Sequence, residues 1–294
     1  MSARTVSVAT SVVPGREQAL QAAALASWAK AGFSVVSLNA PHEATQVQAE
    51  HPTLKVMTAT RTAEKAAGKP LPLISDLLQA AQHADPTADV VGMMNADIIL
   101  REGPQLRTTL LTAASKATVL VPRVDLPNLV ACANFQPSGT ETYSVGYDGA
   151  FLPANAVSSI PESIFCIGMP FWDYWLPLMS LLQGHGLNVI ASPVALHVDH
   201  PTRWNKSVYV FFHALVGDMM SVLKHERKNA TTPALEIVSD VLHHSYNDIF
   251  ERATRPDATD ASQETLAALY DRIQEVVVHH IKAKAKAVLV PEAP

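Results

Sequence analysis

The strongest constraint on this chain is the alternation of strand-like and helix-like stretches over its first hundred residues. The β-branched "TVSVATSVV" (5–13) is followed by the Ala- and Leu-rich "GREQALQAAALASWAKAGF" (15–33), with Gly32 as its C-cap. "SVVSLNA" (34–40) and "LKVMTAT" (54–60) read as further strands. "LPLISDLLQAAQHA" (71–84) places Leu73, Leu77, Leu78 and Ala81 on one side of a helix and leads into the apolar strand "VVGMM" (90–94). Such alternation predicts an α/β chain with a mostly parallel sheet flanked by helices, because parallel neighbours must be joined by crossovers.

After residue 100 the pattern changes. "ATVLVPRVDL" (117–126), "ETYSVGYDGAFLP" (141–153) and "NVIASPVALHVDH" (188–200) read as strands, and "FWDYWLPLMSLLQGHG" (171–186) as a short helix. Helices are then expected at 207–225, near 233–252 and from about Ser262 to Lys286, with "RATRPDATDAS" (252–262) as the clearest linker. The expected organisation is an α/β domain over 1–205 and a helical C-terminal extension over 206–294. The last helix aligns Leu266, Leu269, Ile273, Val276 and Ile281, a stripe that suits packing on its own domain more than on a partner.

Composition narrows the function classes. Of 294 residues, 48% are hydrophobic and 17% charged, which excludes a disordered chain. The formal charge is -5, and Lys282, Lys284 and Lys286 do not share one helical face, so nucleic-acid binding is not expected. Cys132 and Cys166 lack the spacing of a zinc or thiol-exchange pair and read as small buried apolar residues. The N-terminus has no signal-peptide pattern, and His213, Gly217 and Asp218 interrupt the apolar segment 207–223, so no membrane span is expected. A cytoplasmic location follows, with peripheral association at a membrane as the alternative.

Three segments could carry chemistry. In "NAD" (95–97), Asp97 either ends a strand in a turn or holds a cation or sugar-phosphate at the carboxyl edge of a parallel sheet. In "GMPFWDYW" (168–175), Asp173 either caps a helix or is a carboxylate made basic by Trp172 and Trp175, whose faces suit a sugar ring. In "HVDHPTRW" (197–204), His197, Asp199 and His200 end an apolar strand, either as a solvated turn or as a metal or phosphate site. The adjacent pairs His243-His244 and His279-His280 diverge on helices and read as packing or surface groups. Neither a P-loop nor a G-x-G-x-x-G fingerprint occurs.

In their order and position, "NAD", "GYDGAFLP", "IGMPFWDYW" and "HVDHPTRW" resemble the nucleotide-diphosphosugar glycosyltransferases of the GT-A fold, nearest to family-2-like members, over roughly residues 5–205. The resemblance implies sugar transfer from a nucleotide-sugar donor to a hydroxyl acceptor, a glycan or glycolipid, with inversion as the expected course. Asp97 then matches the final acid of the family's D-x-D motif, which binds a divalent cation, manganese or magnesium. Asn95 stands in place of the first acid. His197, with His200 as the second choice, would complete the metal shell, and Asp173 would be the base toward the acceptor. Thr10, Ser11 and Asn39 would face the nucleoside, and Lys69 the donor phosphates. Asp148 and Trp172 would border the substrate, with Trp204 on a segment that closes over the donor. Two alternatives remain: a non-catalytic GT-A-like protein that binds a nucleotide-sugar or glycan, and a nucleotidyltransferase.

Overall fold

The computed structural model describes residues 4–101, 103, 105–200, 208–227 and 246–291. The chain opens with β1 (Val6–Thr10), α1 (Gln18–Lys30), β2 (Ser34–Asn39), α2 (Pro41–Glu50), β3 (Lys55–Thr58), a short α3 (Glu64–Ala67), α4 (Ile74–Ala84) and β4 (Val90–Met94), of which α2 and α3 go beyond the elements expected from the sequence. β5 (Ile98–Leu100), α5 (Gln105–Ala113), β6 (Ala117–Val121), β7 (Arg123–Leu126) and α6 (Leu129–Ala133) follow. Then come β8 (Gly149–Pro153), a 3₁₀ turn (Ala154–Ser159), α7 (Trp172–Leu182), β9 (Gly186–Ile190) and β10 (Ala195–Val198). The C-terminal part holds α8 (Val208–Arg227), α9 (Asn247–Thr254), α10 (Asp260–Lys284) and β11 (Ala285–Val288).

Eight strands form one sheet in the order β11-β9-β6-β8-β4-β1-β2-β3. Within it only β8 runs against its neighbours, β4 and β6. β1, β4 and β6 are buried along their whole length, as expected where helices cover both faces. One core lies under α4, α7, α8 and α10 and contains Trp175, Phe165, Phe211 and Ile281. The other lies under α1 and α5 around Trp28 and Phe151.

The site depends on how strands leave this sheet. The stretches 117–126 and 188–200 each read as one strand, but each divides in two. β6 gives way to β7 at Pro122, and β9 to β10 across Ser192-Pro193. Proline lacks the amide N–H that a ladder needs, so pairing stops there and the chain turns into a second sheet. β4 and β5 separate at Asn95-Ala96-Asp97 without a proline, in a turn where Ile98 N–H donates to Asn95 O at 3.2 Å. The second sheet has the order β5-β10-β7, with β10 antiparallel to β5 and parallel to β7.

Two further readings change. The strand expected over 141–153 is confined to Gly149–Pro153. The last helix ends at Lys284, and Lys286 lies on β11, which pairs parallel with β9 at the edge of the main sheet. Most of the helix expected near 233–252 falls outside the described residues.

Candidate metal and acceptor site

The small sheet brings three sequence-distant groups together. Asp97 precedes β5, and on β10 His197 is in register with Ile98 on one side and with Asp125 of β7 on the other. His200 follows two residues after the end of β10. Asp97 Oδ2 lies 3.5 Å from His197 Nε2 and 3.4 Å from His200 Nε2. The two imidazole nitrogens are 3.3 Å apart. Asp97, His197 and His200 thus offer one oxygen and two nitrogens to a common point.

The residues fit a divalent cation. Separations of 3.3–3.5 Å suit neighbouring ligands of one ion bound at about 2.0–2.2 Å. Asp97 Oδ1 is buried and has no hydrogen-bond partner among the described residues, a costly state for a carboxylate oxygen unless something positive is bound there. His197 is oriented from behind: its Nδ1 meets Asp125 Oδ1 at 2.7 Å, which leaves Nε2 as the lone-pair nitrogen facing Asp97. Burial pushes the Asp97 carboxyl up, but His197 and His200 outweigh it and hold the group well below the usual carboxylate range. Burial lowers the His197 imidazole while Asp97 raises it, with a net rise.

Arg123 ties this cluster to a second carboxylate. Its Nε donates to Asp125 Oδ1 at 2.8 Å, and another guanidinium nitrogen donates to Asp148 Oδ1 at 2.7 Å. Asn95 Nδ2 donates to the same Asp148 oxygen at 2.6 Å. The Asn95 side chain therefore faces Asp148, and its Oδ1 is buried without a partner among the described residues. Asp148 is itself fixed by the main chain, its N–H donating to Val121 O and its carbonyl accepting from Asn95 N–H. Sequence reading missed Arg123 and Asp125. The available signal was the R-x-D spacing after Pro122, since alternate residues of a strand share a face.

Asp173 lies in the first turn of α7. Phe171, at the helix N-terminus, has φ 76°, a left-handed conformation that strains a bulky side chain. Its ring is nonetheless buried and packs on Tyr174, Phe212 and Tyr270. Asp173 Oδ2 accepts from Tyr147 N–H at 3.3 Å. Burial, followed by the charge of Asp148, pushes the Asp173 carboxyl up to about 7. Trp172 and Trp175 do not offer faces to a sugar: they are 4% and 0% exposed, and Trp175 Nε1 donates to Asp218 Oδ2 at 2.8 Å. The structure corrects the indole platform assigned to Trp172, because the apolar face of α7 is consumed by the core.

The remaining sequence-predicted residues lie elsewhere. Asn39 is buried at the end of β2, donating to Val12 O at 2.8 Å and accepting from Ser37 Oγ at 2.6 Å, so it fixes the turn after β1. Ser11 Oγ is 3.4 Å from the same amide. Thr10 is buried at the end of β1, and its Oγ1 has no partner among the described residues. Lys69 follows Gly68 in the turn between α3 and α4. Trp204 and most of the segment expected to close over a donor lie outside the described residues.

Neither a family model nor the sequence of a curated protein matches the chain. Solved structures do resemble it. A mannosyltransferase from Pyrobaculum calidifontis, in complex with GDP-Man and Mn2+, is 12% identical, with 96% of this chain and 87% of that one covered at a TM-score of 0.44. Glucosyl-3-phosphoglycerate synthase from Mycobacterium tuberculosis, in complex with Mn2+, UDP and phosphoglyceric acid, is 15% identical over 74% and 78%, at 0.43. A 4-diphosphocytidyl-2C-methyl-D-erythritol synthase from Anaerococcus prevotii is 9% identical over 71% and 96%, at 0.37. At such distances the chemistry has to come from the side chains of this chain.

Proposed function

We propose that the chain is a glycosyltransferase that moves a sugar from a nucleotide-diphosphate donor to a hydroxyl acceptor. The observation that carries this reading is the convergence of Asp97, His197 and His200 beyond the carboxyl end of β4, where parallel sheets bind their ligands. A divalent cation held there would offset the negative charge that develops on a departing diphosphate. Two imidazoles beside one carboxylate favour manganese over magnesium, because imidazole nitrogen suits transition ions better.

Asp173 has the protonation chemistry of the partner step. A carboxylate pushed up to about 7 is a stronger base than an exposed one and still ionises near neutral pH. In the proposed reaction the acceptor hydroxyl gives its proton to Asp173, its oxygen bonds to the anomeric carbon, and the carbon–oxygen bond to the diphosphate breaks. Attack opposite the departing group gives inversion. Asp125 and Arg123 act behind the site, one holding His197 and the other holding both Asp125 and Asp148.

Calorimetry of UDP and GDP with and without manganese, joined to an assay of nucleoside diphosphate released from a panel of nucleotide-sugars, tests the reading. Manganese should tighten diphosphate binding by at least about tenfold, and Asp97→Ala should abolish that gain. Affinity that ignores both metal and variant would overturn the metal role. Metal-dependent binding with no release from any donor would favour a non-catalytic nucleotide-sugar-binding protein.

A further inference from the structure

Arg123 stands between the two halves of the site, and its place follows from the break at Pro122. On β7, Arg123 and Asp125 alternate onto one face, with Asp125 in register with His197. The segment after α6 returns along the same strand. Val124 bridges Tyr143, Ser144 N–H donates to Arg123 O at 3.0 Å, and Asp148 N–H donates to Val121 O at 3.1 Å. Tyr147, whose N–H reaches Asp173 Oδ2, comes directly before Asp148. The seat of Asp173 and the carboxylate of Asp148 therefore belong to consecutive residues.

The guanidinium divides its donors between the two halves. Nε donates to Asp125 Oδ1 at 2.8 Å, the same oxygen that His197 Nδ1 meets at 2.7 Å. Nη1 donates to Asp148 Oδ1 at 2.7 Å, the same oxygen that accepts from Asn95 Nδ2 at 2.6 Å. The side chain of Asp148 is 9% exposed and that of Arg123 25%, so water screens this pair poorly. Asp173 is faced by Asp148, by Arg123, by the phenols of Tyr147 and Tyr174, and by Tyr270 of α10. Burial pushes all three phenols up and keeps them neutral. Of the charged groups, Asp148 raises the proton affinity of Asp173 and Arg123 lowers it.

We propose that Arg123 is a positioning residue for both halves at once: through Asp125 it keeps the His197 ring turned toward the cation, and through Asp148 it sets the charge beside Asp173. One side chain then couples the cation seat to the acceptor-side base. This role rests on the reading of His197 as a ligand and of Asp173 as the base. Two measurements test it without turnover. The first is Mn2+ binding to the full chain by electron paramagnetic resonance. The second is the carboxyl titration of Asp148 and Asp173 by 13C NMR in the metal-free chain, with peaks assigned by difference from Asp148→Asn and Asp173→Asn.

Arg123→Gln should weaken Mn2+ binding about tenfold, the lower end for a group behind a ligand. It should also make the Asp148–Asp173 pair hold its protons about tenfold more tightly, because a neighbouring positive charge is gone. Asp148→Asn should do the reverse at Asp173, weakening proton binding there about tenfold. Arg123→Lys keeps the charge but has no fork to lie between two carboxylates, so it should preserve one effect at most. Unchanged Mn2+ affinity or unchanged titrations in Arg123→Gln, or wild-type behaviour of both in Arg123→Lys, would overturn the coupling. If Arg123→Gln does not fold, Asp148→Asn and Arg123→Lys give the same decision. A wild type that binds no Mn2+ would overturn the metal role and the coupling together, whereas wild-type binding that ignores Arg123→Gln overturns the coupling alone. Binding and titrations as expected, with no nucleoside diphosphate released from any donor, would count against sugar transfer and leave the coupling standing.

Discussion

At the scale of the residue, Asp173 has opposite consequences for stability and activity. Its carboxyl is pushed from 3.8 up to about 7 by burial and by Asp148. Between those values the folded state keeps a proton that the unfolded chain has released, so stability falls as pH rises through that window. Asp173→Asn removes the ionisable group and keeps an oxygen to accept from Tyr147 N–H. The variant should match the wild type in thermal unfolding near pH 4 and exceed it at pH 8, by on the order of 4 kcal/mol. Transfer by the wild type should rise with pH through about 7, as the base ionises, and should fall by about 10²-fold or more in the variant. Parallel stability curves for the two proteins across pH 4–8 would reject the buried-charge account. Asp97, His197 and Asp173 were legible in the sequence because each sits at a strand end or helix start beside a break. Arg123 and Asp125 were not, since their meaning depends on a register that places Asp125 against His197.

Elements explain which parts of the fold could be read in advance. α4 was evident because Leu77, Leu78 and Ala81 are buried on one face. α2 escaped notice because only Val47 is buried there, leaving almost no apolar period, although Pro41 at its first turn was an available start signal. The split of 117–126 at Pro122 was also signalled, yet the destination of β7 was not, because a second sheet is defined by long-range pairing. The loop before β8 has its own requirement where it meets α7. Gly146 has φ 103°, and an added methyl would collide with Asp173 Oδ2. Gly146→Ala should cost about 1–3 kcal/mol from the backbone conformation alone. Because a carboxylate can swing aside, the collision itself should act mainly on activity, reducing turnover far more than the loss of folded protein explains. An alanine variant with wild-type turnover per folded molecule would mean that Asp173 does not need this seat.

For the whole molecule, the question is whether residues 1–205 form a separable unit. Phe211, Phe212, Leu215 and Val216 from α8, with Leu266, Ile273, Val277 and Ile281 from α10, share one buried cluster with Phe165 and Trp175. Phe165 stacks on Trp175 at 5.2 Å and meets Phe211 at 6.1 Å. β11 extends the main sheet beyond β9, and Ser192 Oγ accepts from Val290 N–H at 2.9 Å. Each fully buried aliphatic or aromatic side chain contributes about 1.5–3 kcal/mol. Loss of the whole C-terminal set is therefore comparable to or larger than the about 5–15 kcal/mol by which a typical domain is stable. The buried apolar residues of α8 and α10 belong to this core, and no helix among the described residues is long and apolar enough to cross a membrane. The 1–205 fragment expressed alone should be molten or aggregated, with bound hydrophobic dye and collapsed NMR dispersion, while the full chain unfolds in a single calorimetric transition. A dispersed, dye-free spectrum from the fragment, or two separate transitions in the full chain, would instead make the C-terminal helices an independent domain.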